Sequence, residues 1–297
     1  MQWEPWSFES APGFVLRGWR TVPRGLPVIH FVHGNGYCGR VYSPFLEALV
    51  PHYDLFLSDV QGHGDSDLGP RFLGWHGNAR VTMQVWTHFA EDYAHVPVIG
   101  MGHSFGGILT LLMASENPSL FDRLVLLDPV MFPPAMLGVM RFTETLGLYK
   151  RNQLAQRARQ RGRIWPHRAA AWDYFHQRGI FRGWDDRALT AYIDHALKPT
   201  QDGQLTLKCP PEREAEIFSS CPAGLWKAVR RLQTTTDILY GEGTYPFVPR
   251  GVAHAKRRNP HIHAEVVPGH HCFMQEFPED TANTLEHLLA GHSTTSA

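Results

Sequence analysis

Cysteine is scarce in this 297-residue chain, and its four residues, Cys38, Cys209, Cys221 and Cys272, form no C-x-x-C pair and no framework spacing. That argues against a disulfide scaffold and against a structural zinc site, and leaves buried thiols as the expectation. No charge of one sign is in excess, Lys plus Arg and Asp plus Glu standing at 28 each. Nucleic acid and anionic membranes are therefore not indicated as partners. No apolar run approaches the length of a bilayer span, and the opening MQWEPWSFESAPGF lacks a basic segment followed by an apolar one. No membrane span is expected, and a cytoplasmic location is. His261, His263, His270, His271 and Cys272 lie close together, but no second ligand group with zinc-type spacing accompanies them, so no metal is expected. Repeats and low-complexity segments are absent, and Gly291 to Ala297 reads as a disordered tail.

What is present is apolar material, 43% of the chain, enough for one large α/β domain carrying an insertion. The runs at residues 27–32 and 53–58 end in the glycine-rich turns HGNG and QGHGDSD, as buried parallel strands do. Helical periodicity over 42–50 separates them, and a second helix over 78–93 leads to a strand at 98–101. Further strands are expected at 123–129, 237–241 and 264–267, with an antiparallel pair within residues 3–20 at one edge. This alternation describes a mostly parallel sheet with helices on both faces. Residues 130–236 exceed any ordinary crossover and read as a helical cap insertion, with helix-like stretches at 136–160, 166–178, 185–197 and 212–218. Trp165, Trp172, Tyr174, Phe175, Phe181 and Trp184 supply its aromatic surface, as its own core or as a pocket lining. Seven basic residues and no acidic one fall between Lys150 and Arg168. Such a run is a solvated helix face, or else a surface for an anionic substrate tail such as a coenzyme A phosphate.

The stretch VIGMGHSFGGILTLLMA (98–114) puts Ser104 between a buried strand and a helix. Glycines flank it, so the turn can close sharply, presenting the hydroxyl at a helix N-terminus that stabilises negative charge. A serine nucleophile needs a base, because its hydroxyl is almost fully protonated at neutral pH. His270 and His271, just after the last strand, are the candidates.

Together GHSFGG, HGNG, DVQGHGDS and GHHCFMQEFPE resemble the α/β-hydrolase superfamily. The resemblance covers nearly the whole chain outside the insertion. It implies an α/β-hydrolase fold and a cofactor-independent serine hydrolase acting on a small molecule, a small, largely apolar ester above all. Carbon–carbon and thioester bonds, or a non-catalytic binding role, are the alternatives. In that family the base lies five residues before a glutamate followed by x-Pro, which fits His271 with Glu276 and leaves His270 one position off. HGNG resembles the family's oxyanion loop, so the backbone N–H groups of Asn35 and Phe105 are the expected oxyanion donors. HGN also resembles haloalkane dehalogenases, but Ser104 stands where those carry a nucleophilic aspartate, which argues against their chemistry and that of epoxide hydrolases. Asp59, Gly62, Gly64 and Ser66 match a turn that supports structure. The acid is where the pattern departs: in YGEGT the usual aspartate position holds Thr244. Asp128, at the end of the strand after the nucleophile's helix, is the expected acid, with Glu242 its rival.

Overall fold

Strands that are apolar at every position need cover on both faces. The computed structural model describes residues 2–11, 13–145 and 152–290. Its strands are β1 (Trp3–Glu9), β2 (Val15–Thr21), β3 (Val28–Val32), β4 (Asp54–Asp59), β5 (Val98–His103), β6 (Arg123–Leu127), β7 (Ile164–Trp165), β8 (Leu197–Pro199), β9 (Leu205–Leu207), β10 (Thr236–Gly241) and β11 (Ile262–Val267). Eight of them form one sheet in the order β1-β2-β4-β3-β5-β6-β10-β11. β2 is antiparallel to both its neighbours, and every other pair is parallel. The edge pair expected within residues 3–20 is there, running from Trp3 opposite Thr21 to Glu9 opposite Val15.

The helices are α1 (Ser43–Leu49), α2 (Gly74–Phe89), α3 (Phe105–Glu116), α4 (Pro134–Thr145), α5 (Gln153–Gln160), α6 (Arg168–Phe175), α7 (Asp186–Ala196), α8 (Pro211–Phe218), α9 (Leu225–Arg231), α10 (Phe247–Arg258), α11 (Phe273–Glu276) and α12 (Pro278–Ala290). Successive strand residues point to opposite faces, and the two cores follow that alternation. Val28, Val32, Phe56, Leu124 and Leu126 pack with α2, α3, α9 and α10. Ile29, Phe31, Leu55, Leu57, Val125 and Leu127 pack with α1 and α12 on the other face. Full burial of each such side chain is worth about 1.5–3 kcal/mol, so truncating Phe31 in the central strand would cost roughly 3–5 kcal/mol.

The insertion differs from an all-helical expectation. β7, β9 and β8 make a small antiparallel sheet, its strands too short for periodicity to reveal. The stretch expected as helix over 136–160 contains α4 and, separately, α5. Asn152 starts α5 afresh, its side-chain oxygen accepting the Ala155 N–H at 2.9 Å as an N-cap. Lys150, Arg151 and the tail from Gly291 lie outside the described residues. Trp165, Phe175, Phe181 and Trp184 are buried in the same core as α1 and the sheet, so they are packing material. Trp172 and Tyr174 pack half-buried at its margin. Tyr37, from the loop after β3, joins that cluster, 5.7 Å from Trp184 and 6.0 Å from Tyr192 between ring centroids.

In the basic run Arg157, Arg159, Arg163 and Arg168 are exposed and Arg161 is half-buried. Arg161 bonds the Glu214 carboxylate at 2.5 Å and the Tyr192 hydroxyl at 2.7 Å, Arg163 pairs with Glu212 and Arg168 with Asp194. Among the described residues no helix is long and apolar enough to cross a membrane, and no group of three or more His, Cys, Asp or Glu could hold a metal ion.

Candidate active site

Successive strands are laid to opposite sides of β3, β4 on one and β5 on the other. The carboxyl ends of β3 and β5 therefore face the crevice where open α/β sheets place their sites. The HGNG loop leaves one strand there and the GHSFG turn leaves the other.

Ser104 has φ 53° and ψ −113°, a region that costs a non-glycine residue about 1–3 kcal/mol. Neighbouring contacts hold it: its N–H donates to Leu127 O at 3.0 Å, and its carbonyl accepts the Ile108 N–H at 3.3 Å. The flanking glycines are there for space. A Cβ on Gly102 would meet Gly106 O at 2.5 Å, and one on Gly106 would meet Val32 O at 2.2 Å and His33 O at 2.4 Å. Close approach at Gly106 thus seats the helix start against the HGNG loop.

His271 reaches this serine, its Nε2 lying 2.9 Å from Ser104 Oγ and its Nδ1 2.7 Å from Asp128 Oδ1. Because a carboxylate only accepts, Nδ1 carries the proton and Nε2 is left to accept from the hydroxyl. His270 points elsewhere. Its ring and its N–H both address Glu276, a carboxylate whose side chain is 5% exposed, so Glu276 clamps the loop that presents His271.

Asp128 is fully buried, with φ 43°. Besides His271 it takes the Thr244 hydroxyl on Oδ1 at 2.5 Å and the Gly241 N–H on Oδ2 at 2.9 Å. Thr244 therefore serves the carboxylate from the position where the family pattern has the acid itself. Glu242 is exposed, and only its backbone is tied in, by its N–H to Val267 O. The Asp59 turn is braced by the Gly39 N–H on Asp59 Oδ1 at 2.7 Å and by Ser66 Oγ on Asp59 O at 2.7 Å. Burial pushes the Asp59 carboxyl up to about 7.

Of the two expected donors, Phe105 follows Ser104 directly and Asn35 lies in the HGNG loop after β3. Phe105 opens α3, where the first N–H groups have no partner within the helix, and its ring packs edge-on to Trp75 at 4.6 Å. Asn35 is anchored by its side chain: Nδ2 donates to Glu214 O of α8 at 3.1 Å, and Oδ1 lies 3.3 Å from His63 Nε2. α8 thus touches the HGNG loop directly. A half-buried series of rings runs up to the base, with Tyr245 4.7 Å from His271, Phe247 5.6 Å from Tyr245 and Phe132 5.0 Å from Phe247 between centroids. Residue-type reasoning missed Thr244, Tyr245 and Glu214, because only the fold brings them to the site.

A family model described as the alpha/beta hydrolase family matches residues 31–284. The chain belongs to the alpha/beta hydrolase family. Among curated relatives, a type I acyl-CoA thioesterase of Penicillium roqueforti is 27% identical over 187 residues, 57% of this chain and 39% of that protein. A monoglyceride lipase of Mus musculus is 34% identical over 121 residues, 38% of each chain. The match therefore spans less than two fifths of these relatives' length. Among solved structures, E-2-(acetamidomethylene)succinate hydrolase superposes with a TM-score of 0.78 at 19% identity, covering 97% of this chain and 100% of its own. That likeness shows the fold. The curated relatives thus include an acyl-CoA thioesterase and a monoglyceride lipase.

Proposed function

We propose that this hydrolase cleaves small, largely apolar carboxylic esters through an acyl-enzyme on Ser104, with His271 as base, Asp128 as acid and no cofactor. The observation that carries the reading is the hydrogen-bonded line from Ser104 through His271 to Asp128, at 2.9 and 2.7 Å. Ser104 Oγ attacks the ester carbonyl while its proton passes to His271 Nε2, and the imidazolium so formed is stabilised by Asp128. The alkoxide of the tetrahedral intermediate accepts from the N–H groups of Phe105 and Asn35. Collapse breaks the carbon–oxygen bond to the alcohol, which leaves with the proton from His271. Water then repeats the sequence on the acyl-enzyme and releases the acid and free serine.

The ring series of Tyr245, Phe247 and Phe132 beside the base supports an apolar substrate, since such surfaces gain affinity chiefly from apolar burial. The insertion of residues 130–236 acts as the cap, reaching the site through the Glu214 contact with Asn35. A thioester reading draws on the Penicillium relative, so the test includes it.

A fluorophosphonate probe should label the wild-type protein and not Ser104→Ala. Turnover of short p-nitrophenyl esters should fall by about 10⁴-fold or more in Ser104→Ala and in His271→Ala, while His270→Ala keeps most of it. Undiminished ester hydrolysis by Ser104→Ala would overturn the reading. A higher kcat/KM for acyl-coenzyme A than for the p-nitrophenyl ester of the same acid would move the substrate to thioesters.

A further inference from the structure

Two buried side chains, Tyr42 and His103, join three parts of the site. The Gly34 N–H donates to Tyr42 Oη at 3.1 Å, Tyr42 Oη lies 2.7 Å from His103 Nδ1, and His103 Nε2 lies 2.9 Å from the carbonyl oxygen of His271. Every proton in this line is assigned by its ends. The Gly34 N–H can only donate, so Tyr42 accepts there and has its own proton left for His103. The His271 carbonyl can only accept, so His103 carries its hydrogen on Nε2. A neutral ring then presents a lone pair on Nδ1, which the Tyr42 hydroxyl fills.

Tyr42 and His103 are both fully buried, and burial, together with the neighbouring His271, holds His103 neutral by pushing its pKa well below the usual histidine range. The fit is close as well as polar: a Cβ on Gly34 would lie 2.7 Å from His103 Nδ1.

The anchor points give the line its meaning. Gly34 precedes the oxyanion residue Asn35, His103 precedes Ser104, and the far end is the backbone of His271 itself. We propose that Tyr42 and His103 are positioning residues: a neutral hydrogen-bond relay that fixes the oxyanion loop, the nucleophile turn and the base-bearing loop in one mutual geometry. This rests on the serine-hydrolase reading above. An oxyanion hole acts through donors already aimed at the developing charge, and these donors sit on a loop separate from the base. The relay ties these loops through the nucleophile turn, beside the direct contact of Tyr37 Oη with Cys272 Sγ at 3.7 Å. The ring of His103 also lies 4.9 Å from that of His271, so the relay supports the base by contact as well.

The test is steady-state hydrolysis of a p-nitrophenyl ester by Tyr42→Phe, His103→Phe and His103→Gln, with thermal melting of each. Tyr42→Phe removes one oxygen and leaves the Gly34 N–H and His103 Nδ1 without partners. It should lower kcat about 10- to 100-fold, the scale of a misplacement near 1 Å, with KM nearly unchanged. His103→Phe keeps ring volume without either bond and should match it. Combined, the two should cost no more than one alone, because they break the same unit. His103→Gln can still accept from Tyr42 and donate to the His271 carbonyl, and should recover most of kcat.

Folded Tyr42→Phe with wild-type kcat, alongside an inactive Ser104→Ala, would overturn the relay and leave the serine reading standing. Equal losses in His103→Gln and His103→Phe would reduce His103 to packing and also overturn it. An active Ser104→Ala would remove both proposals. Should His103→Phe fail to fold, Tyr42→Phe and His103→Gln decide the matter between them.

Discussion

Acid should unfold this protein through histidines that burial keeps neutral. His30, His33, His63 and His103 are all fully buried. Desolvation lowers His30 to about 3 and His33 to about 4, and it pushes His63 and His103 well below the usual range. In the unfolded chain the same rings take up protons near pH 6.5. Between pH 6.5 and the folded values the unfolded state therefore binds more protons, so stability is present above 6.5 and is lost as pH falls. At pH 5 His30 and His33 each cost about 2 kcal/mol, and His63 and His103 act in the same direction. Asp59 works the other way. Its folded value is raised by burial to about 7, so protonation on acidification favours the folded state and returns about 2 kcal/mol. His30 and His33 therefore outweigh Asp59, and with His63, His103 and His195 lowered as well the net change from pH 7.5 to pH 5 is a loss of stability. Urea unfolding followed by tryptophan fluorescence at constant ionic strength measures it. His30→Leu provides the residue-level check, because it removes one of the titrating rings and a buried Nδ1 that has no hydrogen-bond partner. The slope of stability against pH should drop by about 1.4 kcal/mol per unit in that variant. A wild-type urea midpoint equal at pH 7.5 and pH 5, or an unchanged slope in His30→Leu, would refute the reasoning.

The identity of the acid can be read from two charge-neutralising variants. Asp128→Asn should lower turnover by about 10²- to 10⁴-fold with little loss of folding, whereas Glu242→Gln stays within a few-fold; the reverse ranking of p-nitrophenyl ester kcat values would assign the role to Glu242. The nucleophile turn can be probed through its glycine. Gly106→Ala would press a methyl onto two backbone carbonyls within 2.4 Å and should sharply lower the urea midpoint, while Gly138→Ala in α4, with nothing within 4 Å, should raise stability by about 0.4–1 kcal/mol.

The sheet was legible because its central strands are largely apolar and buried, and β3 and β4 end in glycine-rich turns, a pattern local to each segment. The sharp turn at Ser104 and the HGNG loop were legible because GHSFG and HGNG are contiguous, with Gly34, Gly102 and Gly106 set by close approach. The Ser104, His271 and Asp128 side chains, which sequence order nominated, lie within hydrogen-bonding distance of one another. The rest depended on distant pairing. Thr244 reads as a missing acid until the fold sets its hydroxyl on Asp128. Tyr42 reads as a core aromatic at the start of α1 until its oxygen is seen between Gly34 and His103. His103 lay inside the quoted motif, yet its function depends on a carbonyl 168 residues away.

The basic run shows how charges adjacent in sequence take partners in three dimensions. Lys150 to Arg168 invites an anionic partner because no acidic residue is interleaved with it, and that is a statement about one dimension only. In three dimensions the compensating carboxylates come from later helices: Glu214 and Glu212 of α8 meet Arg161 and Arg163, and Asp194 of α7 meets Arg168. Arg161 is the informative case. Its side chain is 18% exposed, and desolvation opposes its charge while Tyr192 and Glu214 more than restore it, so this guanidinium serves as an internal strut. The strut ends at the oxyanion loop, because the residue that accepts Arg161 on its carboxylate, Glu214, accepts Asn35 on its carbonyl. Glu214 of α8 thus connects Arg161 to the HGNG loop, while Arg157, Arg159, Arg163 and Arg168 stay exposed. A buried ion pair of this kind is weak evidence for stability but costly to break by removing one partner, which couples the cap's position to that of the loop beneath it.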